Sequence, residues 1–541
     1  MKSNYLIALQ PGEKVEIIVH YTTNEKTTAI NWLEPSQTAG KNLPYLFTQC
    51  ETIACRSIAP MMDTPSIKIT YDADVTVSEE FVVHMSANLT GVMPLPTTKQ
   101  KVYSFKNQIK MPSYLIAIAV GNLEQKEVGR RCSVITEPEQ MDMVSKELED
   151  LEQMLDGVEN YLTPYIWGNY SILVLPPSFP VGGMENPLLT FASPTIITGD
   201  KSQVYVATHE IAHSWTGNDV TCKNWEHFWL NEGFTVFEER KVSAQLYGEE
   251  FAKVEALLGN FSMYEDMKNY GLDDVYSSLH PTLKGDNPDS SFSEVPYEKG
   301  FQLLTFLESF VGPELFQTFL RSYILEYSQQ SILADDLRRS WEDFVQDNYN
   351  AADTNRILGS INWDAWLYTP GLPPTNTLDF STPASDGASA LADEYIKLAG
   401  VSSPEDKDKF KAYYSNLKVV FLERLNERIG ELNLALLQLL DTDFDLTNTL
   451  DPEVKQRWFP IGIKLNYDAV TEPAHTFISS QGRMKYLNPI YIALRDNGKR
   501  DLAITWLNEN IGFYHPMAVV SVKKILGLSA AEPKEVEFIE F

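Results

Sequence analysis

The segment VATHEIAHSWTGND, residues 206–219, places His209 and His213 four positions apart, with Glu210 directly after the first. Positions four apart on a helix share one face, about 6 Å apart along the axis, so both imidazoles can reach a single ion. Glu210 stands about 100° around the helix from His209, where its carboxylate can act as a base towards a neighbouring water. Two imidazoles leave a zinc ion short of ligands. Glu232, in NWEHFWLNEGF (224–234), lies beyond an interval of eighteen residues after His213. It completes a set of two nitrogens and one oxygen that suits zinc and keeps a position open for water. That chemistry is metal-assisted hydrolysis: the ion acidifies the water and Glu210 takes the proton. One Zn2+ per chain is expected. The plainer alternative, a helix with two surface histidines, does not explain Glu232 at this spacing.

Positioning these groups requires two helices. The pattern predicts one over about 201–215 and another starting near Asn231, which could cap it. YSILVLPPSF reads as a buried strand leading into the glycine turn PVGGMENPLLTF. Upstream, KVEIIVHYTT, SIKITYDADVTV and KVYSFKNQI alternate and are rich in β-branched residues, so residues 1–121 form a β-sheet domain. Residues 122–367 carry the catalytic α/β region. YTPGLPPTNTLDFSTPASDGAS (368–389) reads as a linker, and 390–541 as an α-helical layered or solenoid domain. The fold class is α+β multidomain.

A chain of 541 residues exceeds one core and is expected to divide into domains. With 44 Lys plus Arg against 74 Asp plus Glu, the net charge is −30, which repels phosphate backbones and anionic lipid. Nucleic acid and membrane are therefore not expected as partners. Cys50, Cys55, Cys132 and Cys222 form no CxxC pair and point to a reducing compartment. The opening MKSNYLIALQPGEK lacks a signal-peptide pattern, so a cytoplasmic location is expected. A monomer is expected.

GGMEN (182–186), HEIAHSWTGN (209–218), WLNEG (229–233) and PYEKG (296–300) resemble the gluzincin zinc aminopeptidases. FTQC (47–50), LPPSFP (175–180), LYTPGLPP (367–374) and GRMKY (482–486) resemble the leukotriene-A4 hydrolase/aminopeptidase branch. The resemblance covers essentially the whole chain. It implies a β saddle, a thermolysin-like catalytic domain and a helical C-terminal domain. It also implies short peptide substrates with a free N-terminus. By resemblance, Glu185 holds the substrate ammonium, with Gln49, Cys50 and Glu51 in the same pocket. Gly182, Gly183 and Met184 form the edge along which a peptide lies. Tyr297 donates to the oxyanion, Arg483 and Lys485 grip a substrate carboxylate, and Asp289 favours basic side chains or orients a second water.

The sequence departs from that branch at three positions. Glu51 stands where the branch has Gln, and Val181 and Phe292 each replace a Tyr. A second carboxylate favours a cationic terminus over a lipid epoxide. Aminopeptidase activity is therefore expected first, a fatty-acid epoxide hydrolase second, and a non-enzymatic helical scaffold last. The family's β domain is longer than 121 residues, so a shortened form is expected here.

Overall fold

Alternation between residues 30 and 121 becomes two antiparallel sheets, whereas KVEIIVHYTT (14–23), expected as a strand, pairs with no strand among the described residues and stays exposed, so its apolar side chains meet no sheet to pack on. One sheet orders Ile30–Leu33, Tyr45–Thr48, Ile118–Gly121 and Val82–Met85. The other sets the long strand Gln100–Pro112 between Lys68–Ser78 and Asn88–Leu95. The computed structural model describes residues 12–24, 27–375 and 377–528. Tyr45–Thr48 runs directly into Gln49, whose backbone N–H donates to Ala29 O at 2.8 Å. The β domain thus delivers residues 49–51 to the neighbouring catalytic domain.

The catalytic domain is built on a five-stranded mixed sheet ordered Gly183–Met184, Thr190–Ala192, Tyr170–Val174, Cys132–Thr136, Glu124–Glu127. Cys132–Thr136 and Tyr170–Val174 pair in parallel, with nearly every residue buried. Burial on both faces is why YSILV reads as a nearly continuous apolar run instead of an alternating one. Gly183–Met184 is the edge strand, antiparallel to Thr190–Ala192.

Two helix expectations need correction. The first motif helix spans Tyr205–Ala212 only, with His213 as its C-terminal cap residue. The chain turns there, and Thr216 O comes to lie 3.0 Å from the His213 Nδ1. The second helix is Trp229–Tyr247, so Asn231 lies inside its first turn and does not cap it. The Asn231 side chain instead accepts from Cys222 N at 2.8 Å and donates to Tyr114 Oη at 3.1 Å.

The polar stretch 368–389 is irregular only as far as Thr382; Pro383 opens the helix Pro383–Leu398. Thr382 Oγ1 accepts from Ser385 N at 3.1 Å, and a proline at the first helical position has no N–H to leave unpaired. Beyond it, every second helix stacks on the next: Pro383–Leu398, Ser415–Glu427, Pro452–Lys464, Met484–Asp496, Pro516–Ile525. Thr471–Ser480 and Arg500–Asn510 pack onto this row. The row has its own apolar core, separate from the one shared by the β and catalytic domains. It docks through GRMKY: Gly482 N donates to Pro177 O at 2.7 Å and Met484 N to Pro180 O at 2.8 Å. Two segments far apart in the chain, LPPSFP (175–180) and GRMKY (482–486), therefore meet beside the glycine edge. Among the described residues no helix is long and apolar enough to cross a membrane.

Candidate active site

His209, His213 and Glu232 converge. The two Nε2 atoms lie 3.1 Å apart, and Glu232 Oε2 is 3.4 and 3.3 Å from them. A tetrahedral ion with bonds of about 2.0–2.1 Å has ligand–ligand edges of about 3.3 Å, so the three atoms occupy three corners of such a polyhedron. The hydrogen bonds agree. His209 Nδ1 faces Glu239 Oε2 at 2.9 Å and His213 Nδ1 faces Thr216 O at 3.0 Å. Both acceptors require N–H at Nδ1, which leaves both Nε2 lone pairs turned towards one point. Glu232 Oε2 is buried there with no hydrogen-bond partner. When no ion is held there and the two imidazoles carry protons, His213 and His209 outweigh burial and lower the Glu232 carboxyl to about 2. This donor set fits zinc.

Glu239 is a site residue that sequence reasoning missed. A signal was available, since it lies seven residues after Glu232, two turns along the same helix face. A carboxylate behind a ligating imidazole fixes its tautomer and raises its basicity. Thr216 was missed for a different reason: it contributes through its backbone carbonyl, which leaves no mark in residue type.

Glu210 projects from the same helix towards the edge strand. A β-carbon on Gly183 would come within 2.2 Å of Glu210 Oε1, and one on Gly182 within 2.6 Å of an Arg483 guanidinium nitrogen. The glycine pair is therefore required by side chains arriving from two other elements. Glu210 is buried, and burial pushes its carboxyl up to about 8 against the pull of His209 and His213.

Glu185 lies beside Glu210 and His213, with Glu51 within reach of its charge and Gln49 against the adjacent Met184. Glu185, Glu210 and His213 offer ligand atoms within 4.8 Å of one another. Gln49 Nε2 donates to the Met184 sulfur at 3.3 Å. Gln49 Oε1, Glu51 Oε1 and Glu185 Oε1 are all buried without a hydrogen-bond partner. Burial first, then Glu185, Glu232, Asp289 and Glu210, push the Glu51 carboxyl well up. Burial also raises Glu185, with His213 opposing it. Asn218 Nδ2 holds the Glu185 carbonyl at 2.8 Å and so fixes the turn. Cys50 is buried, and its thiol is raised by a hydrogen bond to Cys55 and by burial; it lines the turn as a neutral group. Asp289 is exposed and accepts from the Thr52 hydroxyl at 2.7 Å, which brings it next to the Glu51 loop.

The Tyr297 ring stacks on His209 with centroids 6.1 Å apart and meets Phe292 edge-on at 6.2 Å. Burial, then Glu232, Glu51, Glu294 and Glu185, push its hydroxyl well up, so it remains a donor. Arg483 is buried against Gly182, with Nη1 3.3 Å from Thr195 Oγ1 and from Tyr486 Oη, and it makes no ion pair among the described residues. Lys485 is already engaged: Nζ reaches Glu453 Oε1 at 2.7 Å. Glu453, the second residue of its helix, was not foreseen as part of this neighbourhood. Val181 lies where the two large cores meet.

Three family profiles match in chain order: the Peptidase M1 N-terminal domain over 4–115, the Peptidase family M1 domain over 146–366, and the Leukotriene A4 hydrolase C-terminal domain over 413–526. Leucine aminopeptidase 2 of Ajellomyces capsulatus is 38% identical over 522 residues, covering 96% of this chain and 82% of the relative. Leukotriene A-4 hydrolase of Xenopus laevis is 37% identical over 533 residues, covering 97% and 85% respectively. The solved structure of yeast LTA4 hydrolase in complex with bestatin matches with a TM-score of 0.84 at 32% identity, over 93% of this chain and 81% of that one. With this fold and these relatives, the chain belongs to peptidase family M1, as a zinc aminopeptidase carrying the leukotriene A4 hydrolase type of C-terminal domain.

Proposed function

We propose that the chain releases N-terminal residues from short peptides with a free amino terminus, using one zinc ion per chain held by His209, His213 and Glu232. One observation carries this reading: Gln49 Oε1, Glu51 Oε1 and Glu185 Oε1 are buried acceptors with no donor, Glu185 clustering with Glu210 and His213, Glu51 acting on Glu185 through its charge, and Gln49 lying on the adjacent Met184. An ammonium brings three donors and a positive charge to such a place, whereas a neutral group brings no charge. Anchoring the terminus sets the first peptide bond over the ligands.

When bound, zinc polarises the scissile carbonyl and acidifies a water. Glu210 takes the proton of the attacking water and passes it to the leaving amine. Tyr297, held protonated, donates to the oxyanion. The open backbone edge at Gly183–Met184 receives the peptide as an added strand. Arg483 takes the carboxylate at the far end of a short peptide, with Lys485 and Glu453 as its supporting frame, and Asp289 selects for basic side chains. A monomer in a reducing cytoplasm accords with four free, buried cysteines.

Hydrolysis of a fatty-acid epoxide is the second reading. Arg483, buried without an ionic partner, favours it, because a fatty acid also carries a carboxylate. Glu51 opposes it, since a pocket with two carboxylates prefers a cation.

The test uses aminoacyl chromogenic substrates with and without a chelator. Cleavage should stop on chelation and return with zinc, and Glu210→Gln should keep stoichiometric metal while kcat falls about 10²–10⁴-fold. Chelator-insensitive cleavage, or no cleavage by zinc-loaded folded protein, would sink the reading.

A further inference from the structure

A second cavity, of about 320 Å³, opens where the catalytic domain meets the C-terminal helices. It shares no lining residue with the candidate active site. One wall is aromatic: the rings of Tyr247, Phe251 and Tyr414 touch in series, with centroids 5.2 and 5.5 Å apart. The remaining lining carries both signs of charge.

Two of these charges are available. Lys418 is half-buried and its side chain makes no hydrogen bond or ion pair among the described residues; its influence on Asp200 acts through space. Asp451 uses Oδ1 to cap the helix Pro452–Lys464, accepting from Glu453 N at 2.9 Å and Val454 N at 3.4 Å, and its carboxylate lies beside the Ser415 hydroxyl. Lys201 is not available, because its Nζ lies 2.7 and 2.6 Å from Glu149 and Asp150. One hydroxyl oxygen in the wall, Tyr414 Oη, is buried without a hydrogen-bond partner, and the hydroxyl of Ser415, itself 6% exposed, lies against the Asp451 carboxylate. A buried polar group left unpaired costs about 1–3 kcal/mol, so this lining is suited to a polar occupant.

We propose that this cavity binds a free α-amino acid with an apolar or aromatic side chain. Its ammonium meets Asp451 and Ser415, its carboxylate meets Lys418, and its side chain lies on the ring wall. The two charges together select a zwitterion. A bare amine would be repelled by Lys418, and a bare carboxylate would face Asp451 and Asp200. The cavity also abuts two helix starts that matter for the reaction. Tyr205 opens the helix that presents His209 one turn later. Asp451 caps the helix whose Glu453 holds Lys485. Free amino acids are what the peptidase reading above releases, so the source of the ligand rests on that reading, although the recognition chemistry does not.

The test is calorimetric titration of the full chain carrying Glu185→Ala, which removes the amine anchor of the active site. The probes are L-phenylalanine, 2-phenylethylamine and 3-phenylpropionate. Phenylalanine should bind with a stoichiometry of one. Both fragments should bind at least about tenfold more weakly, the worth of one lost charge contact. Adding Lys418→Glu or Phe251→Ala should weaken phenylalanine by about tenfold or more without changing Tm. Absence of phenylalanine binding, either fragment binding within tenfold of it, or indifference to both cavity variants would each overturn the proposal. Failure of the peptidase reading shows separately, as absent turnover in the wild-type protein, and leaves this titration unaffected.

Discussion

Gly183 and Glu210 are in contact across two elements: a β-carbon at 183 would stand 2.2 Å from Glu210 Oε1 and 2.4 Å from its Cδ. The edge strand and the motif helix approach until only a hydrogen atom fits between the backbone and the proposed base. Gly183→Ala must therefore displace Glu210 while leaving the metal ligands in place. The expected result is a kcat loss of about 10²-fold or more with metal content unchanged. Metal analysis beside steady-state kinetics checks this; unchanged kcat would show that Glu210 is not held by this contact.

Glu239 stands behind His209, 2.9 Å from Nδ1. Glu239→Gln keeps the shape but exchanges a carboxylate for an amide that can turn its NH2 towards the ring. Zinc affinity should drop about 10–100-fold. Competition with a chromogenic chelator measures it, and wild-type affinity would remove Glu239 from the site.

Arg483 makes no ion pair among the described residues, although it is buried. If it receives the far carboxylate of a short peptide, Arg483→Ala should raise KM for tripeptides about 10–100-fold. The same variant should leave KM nearly unchanged for aminoacyl anilides, which have no carboxylate. Equal losses on both substrate types would assign Arg483 to structure alone.

His515 reports on acid stability at the contact between the β domain and the C-terminal helices. Its Nδ1 accepts from Met517 N at 3.1 Å, its Nε2 lies 2.9 Å from the Asn31 amide, and its ring stacks on Phe47. Burial lowers it to about 3. A base held neutral in the folded state takes up its proton only on unfolding. Stability is therefore retained above the ordinary histidine value of about 6.5 and falls, by up to about 1.4 kcal/mol per pH unit, as pH drops from there towards 3. Urea unfolding at pH 7 and pH 5 should show a smaller acid loss in His515→Gln than in wild type. An identical loss would mean that His515 does not titrate on unfolding.

Local chemistry in the chain determined much of this protein. Imidazoles four apart share a helix face, so the convergence of His209, His213 and Glu232 was legible as residue types at a spacing. The β alternation, the buried strand Tyr170–Val174 and the helical C-terminal third were legible because side-chain periodicity follows backbone geometry. The helix ends were less legible: Asn231 has the character of a capping residue, yet its amide is used by Cys222 and Tyr114, both of which reach it through tertiary folding. Only the tertiary structure decided that Gly183 must be bare for Glu210 and Gly182 for Arg483, that Glu239 backs His209, and that Lys485 is engaged by Glu453 while Arg483 is not. Each of these is a contact between segments distant in the chain, and such contacts depend on how domains dock, which periodicity and spacing within one segment do not encode.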